Sequence, residues 1–147
     1  MSWQELREHH PQLAAFGERR LLSRVAYLAT VGADGAPRVH PVTPIVMPER
    51  LMVFMEPTSP KGHDLRRGSR YALHCSVEDD DGGRGEFRVR GTARTVTDVA
   101  LREQAARHAP YEPSPTYVLF ELLVDDAFST SYGADGTPVR HTWISGT

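Results

Sequence analysis

The sequence contains no asparagine, one lysine (Lys61) against 16 arginines, and one cysteine, Cys75. A single cysteine excludes an internal disulfide and any cysteine-clustered zinc or iron–sulfur site. Its apolar flanks predict a buried thiol. Long apolar runs are also missing: the stretches from Val25 to Val31 and from Val118 to Val124 fall far short of the roughly 20 residues that span a bilayer. The first residues, Met1 to Glu5, lack the basic and then apolar stretch of a secretory leader. The expected location is therefore cytoplasmic, with no membrane partner. No charge sign is in excess, since 17 basic and 19 acidic residues leave a formal net charge of −2. That balance excludes the broad basic footprint of a nucleic-acid binder. With 147 residues, 39% of them hydrophobic, the chain has material for one domain, residues 1–147, and not for two.

Several catalytic signatures are absent too. None of the seven histidines lies in an H-x-x-x-H or H-E-x-x-H spacing, and the adjacent His9 and His10 are not expected to point inward together from one helix face. No metal site is expected. The glycine framework of a P-loop and the G-x-S-x-G elbow of the α/β-hydrolases are missing. Asp79, Asp80 and Asp81 lack the ligand spacing of an EF-hand and read as a polar hairpin tip, with Gly82, Gly83 and Gly85 serving the turn. There is no repeat of 20 to 50 residues.

What is present is mostly β pattern. Ser2 followed by Glu5 is a capping box, and Leu13, Phe16, Leu21 and Leu22 continue at helical spacing, which places a helical segment over about 3–22, broken near Pro11. The run VAYLATV, a two-residue turn at Asp34-Gly35 and the run PRVHPVTPIVM form a hairpin. Pro37, Pro41 and Pro44 force its second strand to be bent, bulged or at an edge, because proline cannot donate to a ladder. LMVFME is a third strand, followed by a short helix closed by Gly68. RYALHCSVE and EFRVRGTARTV are a second hairpin, with Phe87, Val89 and Gly91 facing one way and Arg88 and Arg90 the other. Thr97 caps a further helix, and two terminal strands follow, TYVLFELLVDDAFSTSY and the one ending in Trp143. Successive hairpins of this kind close into an antiparallel barrel more readily than into a parallel sheet.

Two places gather chemistry. Thr58-Ser59-Pro60-Lys61 lies between a strand end and a helix start, where hydroxyls, free backbone N–H groups and an ammonium converge, so the segment is either a phosphate site or a capped helix beside a solvated lysine. Arg38 and His40 alternate on one face of the proline-studded strand. Trp143 is either an anchor for the tail or an aromatic wall for a planar ligand.

Read in order, LATVGADGAPRVHPV, then TSPK-x-x-x-L, then a strand of the type YALHCSV and a terminal strand with Trp143 resemble the pyridoxamine 5′-phosphate oxidase-like, FMN-binding split-barrel family over residues 12–145. The resemblance implies a mainly β fold, a six- to seven-stranded antiparallel split β-barrel of Greek-key type with flanking short helices. It also implies a homodimer with a cofactor cleft at each subunit interface. Carried over, Arg38, Val39, His40 and Pro41 line the flavin ring, Met55 and Glu56 lie beside the ribityl chain, and Thr58, Ser59 and Lys61 take the phosphate. Trp143 covers the ring from the second subunit. Where many members have asparagine this chain has Asp64, whose carboxylate must point away from a phosphate, and Arg66 and Arg67 stand in for other basic residues. The longer arginine-containing tail of authentic pyridoxamine phosphate oxidases is missing, and vitamin B6 oxidation is not assigned. The implied activity is an FMN-dependent oxidoreductase transferring hydride to or from a small organic substrate. The alternatives on the same fold are an F420-dependent reductase and a non-catalytic flavin or haem carrier, with His40, His63 or His74 as an iron ligand. No catalytic acid or base is assigned.

Overall fold

The computed structural model describes residues 2–146. At the N-terminus the Ser2 hydroxyl accepts from the Glu5 N–H while the Glu5 carboxylate accepts from the Ser2 N–H, the reciprocal capping box that starts α1 (Trp3–His9). His10 ends α1 and begins α2 (Pro11–Leu21), its Nδ1 accepting from the Leu13 N–H at 3.3 Å. Because the helix breaks at this residue, the adjacent histidines both face the last strand: His9 lies beside Trp143 and His10 beside His141. Neither histidine is buried, His9 being exposed and His10 half-buried, so the two contact β10 from the surface rather than pointing into the core.

The strands are β1 (Ala26–Val31), β2 (Pro37–Val42), β3 (Ile45–Val46), β4 (Leu51–Met55), β5 (Tyr71–Cys75), β6 (Glu86–Gly91), β7 (Ala93–Thr95), β8 (Val118–Leu122), β9 (Asp126–Tyr132) and β10 (Pro138–Ile144), with α3 (Pro60–Arg66) after β4 and α4 (Val99–His108) after β7. They form a six-stranded sheet, β10-β9-β6-β5-β1-β2, and a four-stranded sheet, β3-β4-β8-β7, all antiparallel. The two sheets pack as an open, split barrel. Three runs that read as single strands each break where the chain passes from one sheet to the other: β2 into β3 at Thr43-Pro44, β6 into β7 at Thr92, and β8 into β9 at Leu123–Asp125. At the second crossing Gly91 is obligatory, because a Cβ there would sit 1.9 Å from the Leu123 carbonyl oxygen. Tyr71 donates its hydroxyl to the same carbonyl at 2.9 Å.

Trp3, Leu6, Leu13, Leu28, Leu73, Phe87 and Phe120 fill the space between the sheets and α1–α2, and a smaller core of Ile45, Met52, Phe54, Leu119 and Ala105 joins the four-stranded sheet to α4. Phe87, Val89 and Gly91 are buried while Arg88 and Arg90 face outward, as their alternation predicts. Cys75 is buried, and burial raises its thiol pKa above the ordinary value. The cap of α4 is Asp98 rather than Thr97, since the Asp98 carboxylate accepts from the Leu101 N–H at 3.0 Å. Among the described residues no helix is long and apolar enough to cross a membrane.

The β1–β2 turn has three residues, not two: the Gly32 N–H donates to the Ala36 carbonyl at 2.9 Å, and Gly35 takes a positive φ of 84°. A Cβ at Gly35 would meet nothing within 4 Å. Gly35→Ala should therefore cost only the conformational penalty, about 1 kcal/mol in urea unfolding, and a neutral result would show that this turn does not set the hairpin.

Candidate functional site

β2 is the edge strand of the six-stranded sheet, one of the placements that its prolines allow, with Pro37 and Pro41 in the strand and Pro44 just beyond it. Its residues alternate. Arg38, His40 and Val42 lie on the face of Thr30, Leu28 and Ala26, and Val39 and Pro41 lie on the opposite, solvent-facing side with Ala29 and Tyr27. Beyond β4 the chain turns through Glu56 and Thr58, both exposed, into α3. Ser59 is buried and caps that helix, its hydroxyl oxygen accepting from the Gly62 N–H at 3.4 Å, which leaves its O–H free to donate. Gly68, at φ 92°, ends the segment, and Ser69 ties it to β1 by accepting from the Val31 N–H at 2.9 Å.

The helix delivers Asp64 to the hairpin. This carboxylate is 1% exposed and accepts from the Thr30 hydroxyl at 2.8 Å, from Arg38 Nε at 2.8 Å and from the Arg67 guanidinium. Burial pushes the Asp64 carboxyl up, but the hydrogen bonds from Arg38 and Thr30, the Arg38 charge and the Arg67 hydrogen bond outweigh it and hold the group below the usual carboxylate range. Two guanidinium groups on one carboxylate leave a positive surplus, so the one departure from the family pattern that threatened a phosphate is neutralised. A shallow cavity of about 390 Å³ opens beside it, lined by Asp34, Arg38, Pro60, His63, Asp64 and Arg67.

Lys61 and Arg38 are near enough to His40 to lower its imidazole pKa together with burial, the largest cause, against a smaller opposing pull from Asp64. Burial also lowers the Lys61 ammonium, partly offset by Glu56. Arg38, His40 and Lys61 are thus brought together around the start of α3, with Ser59 beneath and Thr58 and Glu56 at the rim. Met55 is placed differently, because its side chain is 3% exposed and belongs to the inner core. Trp143 is half-buried against that core beside His9, on β10, at the other edge of the sheet. Measured along the curved sheet, five strand spacings, roughly 24 Å, separate β10 from β2. Trp143 and Arg38 thus belong to opposite edges of the sheet. Arg67, offered with Arg66 as a stand-in basic residue, does reach the site; Thr30 was missed by sequence reasoning although the signal was available, since the hairpin register sets it opposite Arg38.

A larger groove, about 580 Å³, lies between α1–α2 and the Pro48 turn, but Glu8, Glu18 and Glu49 line it and suit no anion.

Comparison with known proteins yields the following. The profile described as pyridoxamine 5′-phosphate oxidase matches residues 11–131. Among solved structures, the chain resembles a conserved hypothetical protein from Mycobacterium tuberculosis (TM-score 0.71, 18% identity, covering 94% of this chain and 92% of that one). It also resembles a heme binding protein from Mycobacterium smegmatis (TM-score 0.69, 18% identity, 88% of this chain and 57% of that one), of which it thus spans little more than half. A third is PhzG from Burkholderia lata, in complex with tetrahydrophenazine-1-carboxylic acid (TM-score 0.63, 15% identity, 95% and 86%). These likenesses concern the fold. No curated protein matches this sequence.

Proposed function

The chain belongs to the pyridoxamine 5′-phosphate oxidase family, and from that premise we propose that it binds FMN along β2 and the start of α3 and acts as a flavin-dependent oxidoreductase on a small organic substrate. The observation that carries the proposal is the convergence of Lys61, Arg38 and Arg67, with the buried acid among them, Asp64, already held by both guanidinium groups and Glu56 and Asp34 left at the rim. A phosphate dianion meets two unshared edges of guanidinium, an ammonium and the Thr58 and Ser59 hydroxyls there. The ring takes the β2 segment Arg38, Val39, His40 and Pro41, whose edge position leaves backbone groups unpaired. Lowering of its pKa keeps His40 neutral near pH 7, able to donate or accept one hydrogen bond without adding charge to the ring pocket. When bound, the flavin supplies hydride transfer through its ring.

Completion of the cleft needs a second copy. Tyr27, Val31 and Val39 stand 46%, 47% and 64% exposed on the outer face beside β2, an apolar strip that a homodimer would cover. In that homodimer Trp143 comes to the β2 cleft from the partner. Light scattering is expected to give a dimer; a monomer that binds flavin at full affinity would overturn this arrangement.

The deciding experiment is an absorption spectrum of the purified protein and parallel fluorescence titrations with FMN and F420. Saturable FMN binding supports the assignment, and preference for F420 would move it to the deazaflavin reductases. A neutral His40 also suits iron, so haem is titrated alongside. A Soret band lost in His40→Ala, with no flavin bound, would make the protein a haem carrier instead.

A further inference from the structure

The six-stranded sheet has an internal two-fold symmetry that leads to a second site. Read from either edge its order is hairpin, central strand, central strand, hairpin. An axis through the sheet between β5 and β6 exchanges β1–β2 with β9–β10. The sequences follow: residues 26–42 and 127–143 share the turn Gly-Ala-Asp-Gly, the proline two residues after it and one histidine, with Tyr27 answered by Phe128. The registers follow as well, Val31 opposite Pro37 and Tyr132 opposite Pro138, Ala26 opposite Val42 and Ala127 opposite Trp143. Asp34 and Asp135 each accept from the N–H two residues on, at 3.0 and 2.9 Å.

On the inner face, His40 therefore corresponds to His141, Thr30 to Ser131, Leu28 to Ser129 and Arg38 to Val139. The covering helix differs. Over β1–β2, α3 brings an acid, Asp64, to an arginine of the strand. Over β9–β10, α2 brings an arginine, Arg19, and no acid faces it. The cavity between them, about 310 Å³, is lined by Gln12, Phe16, Arg19, Ser129, Ser131 and His141. None of the five polar side chains has a hydrogen bond or ion pair within the described residues. One of them, Ser129, is 2% exposed and lines this cavity. His141 is held edge-on by His10, ring centroids 5.2 Å apart and planes at 87°, and His10 is itself fixed by its cap on α2.

Arg19 and Gln12 stand at the solvent-exposed rim of this cavity and Ser129 lies within it, none of them committed to another group among the described residues, so all three can turn to a ligand. We propose that the cleft between α2 and the β9–β10 hairpin is a second binding site, taking a small carboxylate whose apolar body rests on Phe16. The carboxylate occupies the place that Asp64 holds at the symmetry-related position. Arg19 meets it with a guanidinium fork, the two serine hydroxyls and the Gln12 amide donate to it, and the Phe16 ring, which already carries Arg19 at 5.9 Å, supports the rest of the molecule. One guanidinium and no ammonium fit a monoanion better than a phosphate dianion. The site lies at the opposite sheet edge from this chain's own β2 cleft, on the hairpin whose Trp143 the proposed dimer brings to the partner's cleft.

The test is a titration of the full-length protein with benzoate, and separately with inorganic phosphate, at physiological salt, followed by the His141 ring proton resonances. Saturable benzoate shifts are expected. They should weaken about tenfold or more in Arg19→Gln and also weaken in Ser129→Val, with FMN binding and melting temperature unchanged in Arg19→Gln. Absence of benzoate shifts at His141 would overturn the proposal. So would benzoate binding that Arg19→Gln leaves intact, or phosphate binding as tight as benzoate, which would mark mere attraction to an exposed arginine.

Discussion

Asp64→Ala is expected to lower the stability of the folded chain by about 2–3 kcal/mol at pH 7, a magnitude set by the loss of charge-assisted hydrogen bonds to a buried carboxylate. The carboxylate joins three elements at once: Thr30 on β1, Arg38 on β2 and Arg67 at the end of α3. Its removal strands the buried Thr30 hydroxyl and leaves two guanidinium groups repelling each other. Both arginines are more than a third exposed, so water recovers part of their loss, which keeps the figure below that of a fully buried pair. Asp64→Asn retains an acceptor for Thr30 and should cost less. The pH dependence has a definite sign. Because the folded-state pKa of Asp64 is depressed, its contribution is fully present above the unfolded carboxylate value of about 3.9 and is lost as pH falls through the lower folded value. Urea unfolding of wild type and Asp64→Ala at pH 7 and near pH 3 should show the gap between them closing in acid. A gap that stays constant would mean that the ionised carboxylate is not what joins the hairpin to the helix.

Lys61→Ala should weaken FMN binding by about 1.5–3 kcal/mol, roughly ten- to a hundredfold. Riboflavin, which has the ring and ribityl chain but no phosphate, should bind wild type and variant alike. That contrast separates a phosphate contact from a general disturbance of α3. Lys61→Arg should recover much of the loss, since a guanidinium also donates to phosphate. Equal losses for FMN and riboflavin would place Lys61 elsewhere in the site, and no loss for either would remove it from the binding machinery.

Much of the fold was legible because it rests on local rules. The capping box at Ser2 and Glu5, the break at Pro11, the helix from Pro60 closed by Gly68 and the edge position of the proline-bearing β2 all depend on residues within a few places of one another. The sheet crossings were not legible. EFRVRGTARTV reads as one strand by its alternation, and only the approach of the Leu123 carbonyl to Gly91 shows why it must break. The same holds for the histidine pair. Adjacent residues face alike here because the chain changes helices between them, and both find β10, more than a hundred residues on.

The site divides along the same line. By itself the sequence determined the residue types: an ammonium and two hydroxyls at a helix start, an arginine and a histidine on one face of an edge strand, and a tryptophan on the last strand. Periodicity and capping chemistry act over a few residues, and a chain in order displays them. Tertiary structure alone decided that Asp64 is held by Thr30, Arg38 and Arg67, that Met55 is core, and that Trp143 lies at the far edge of the sheet. It alone aligned two hairpins of similar sequence about one axis, giving one an internal carboxylate and leaving the other's arginine without one. Those outcomes depend on which helix each hairpin packs beneath, and that is fixed by the burial of distant apolar faces against one another, a choice that no local pattern encodes.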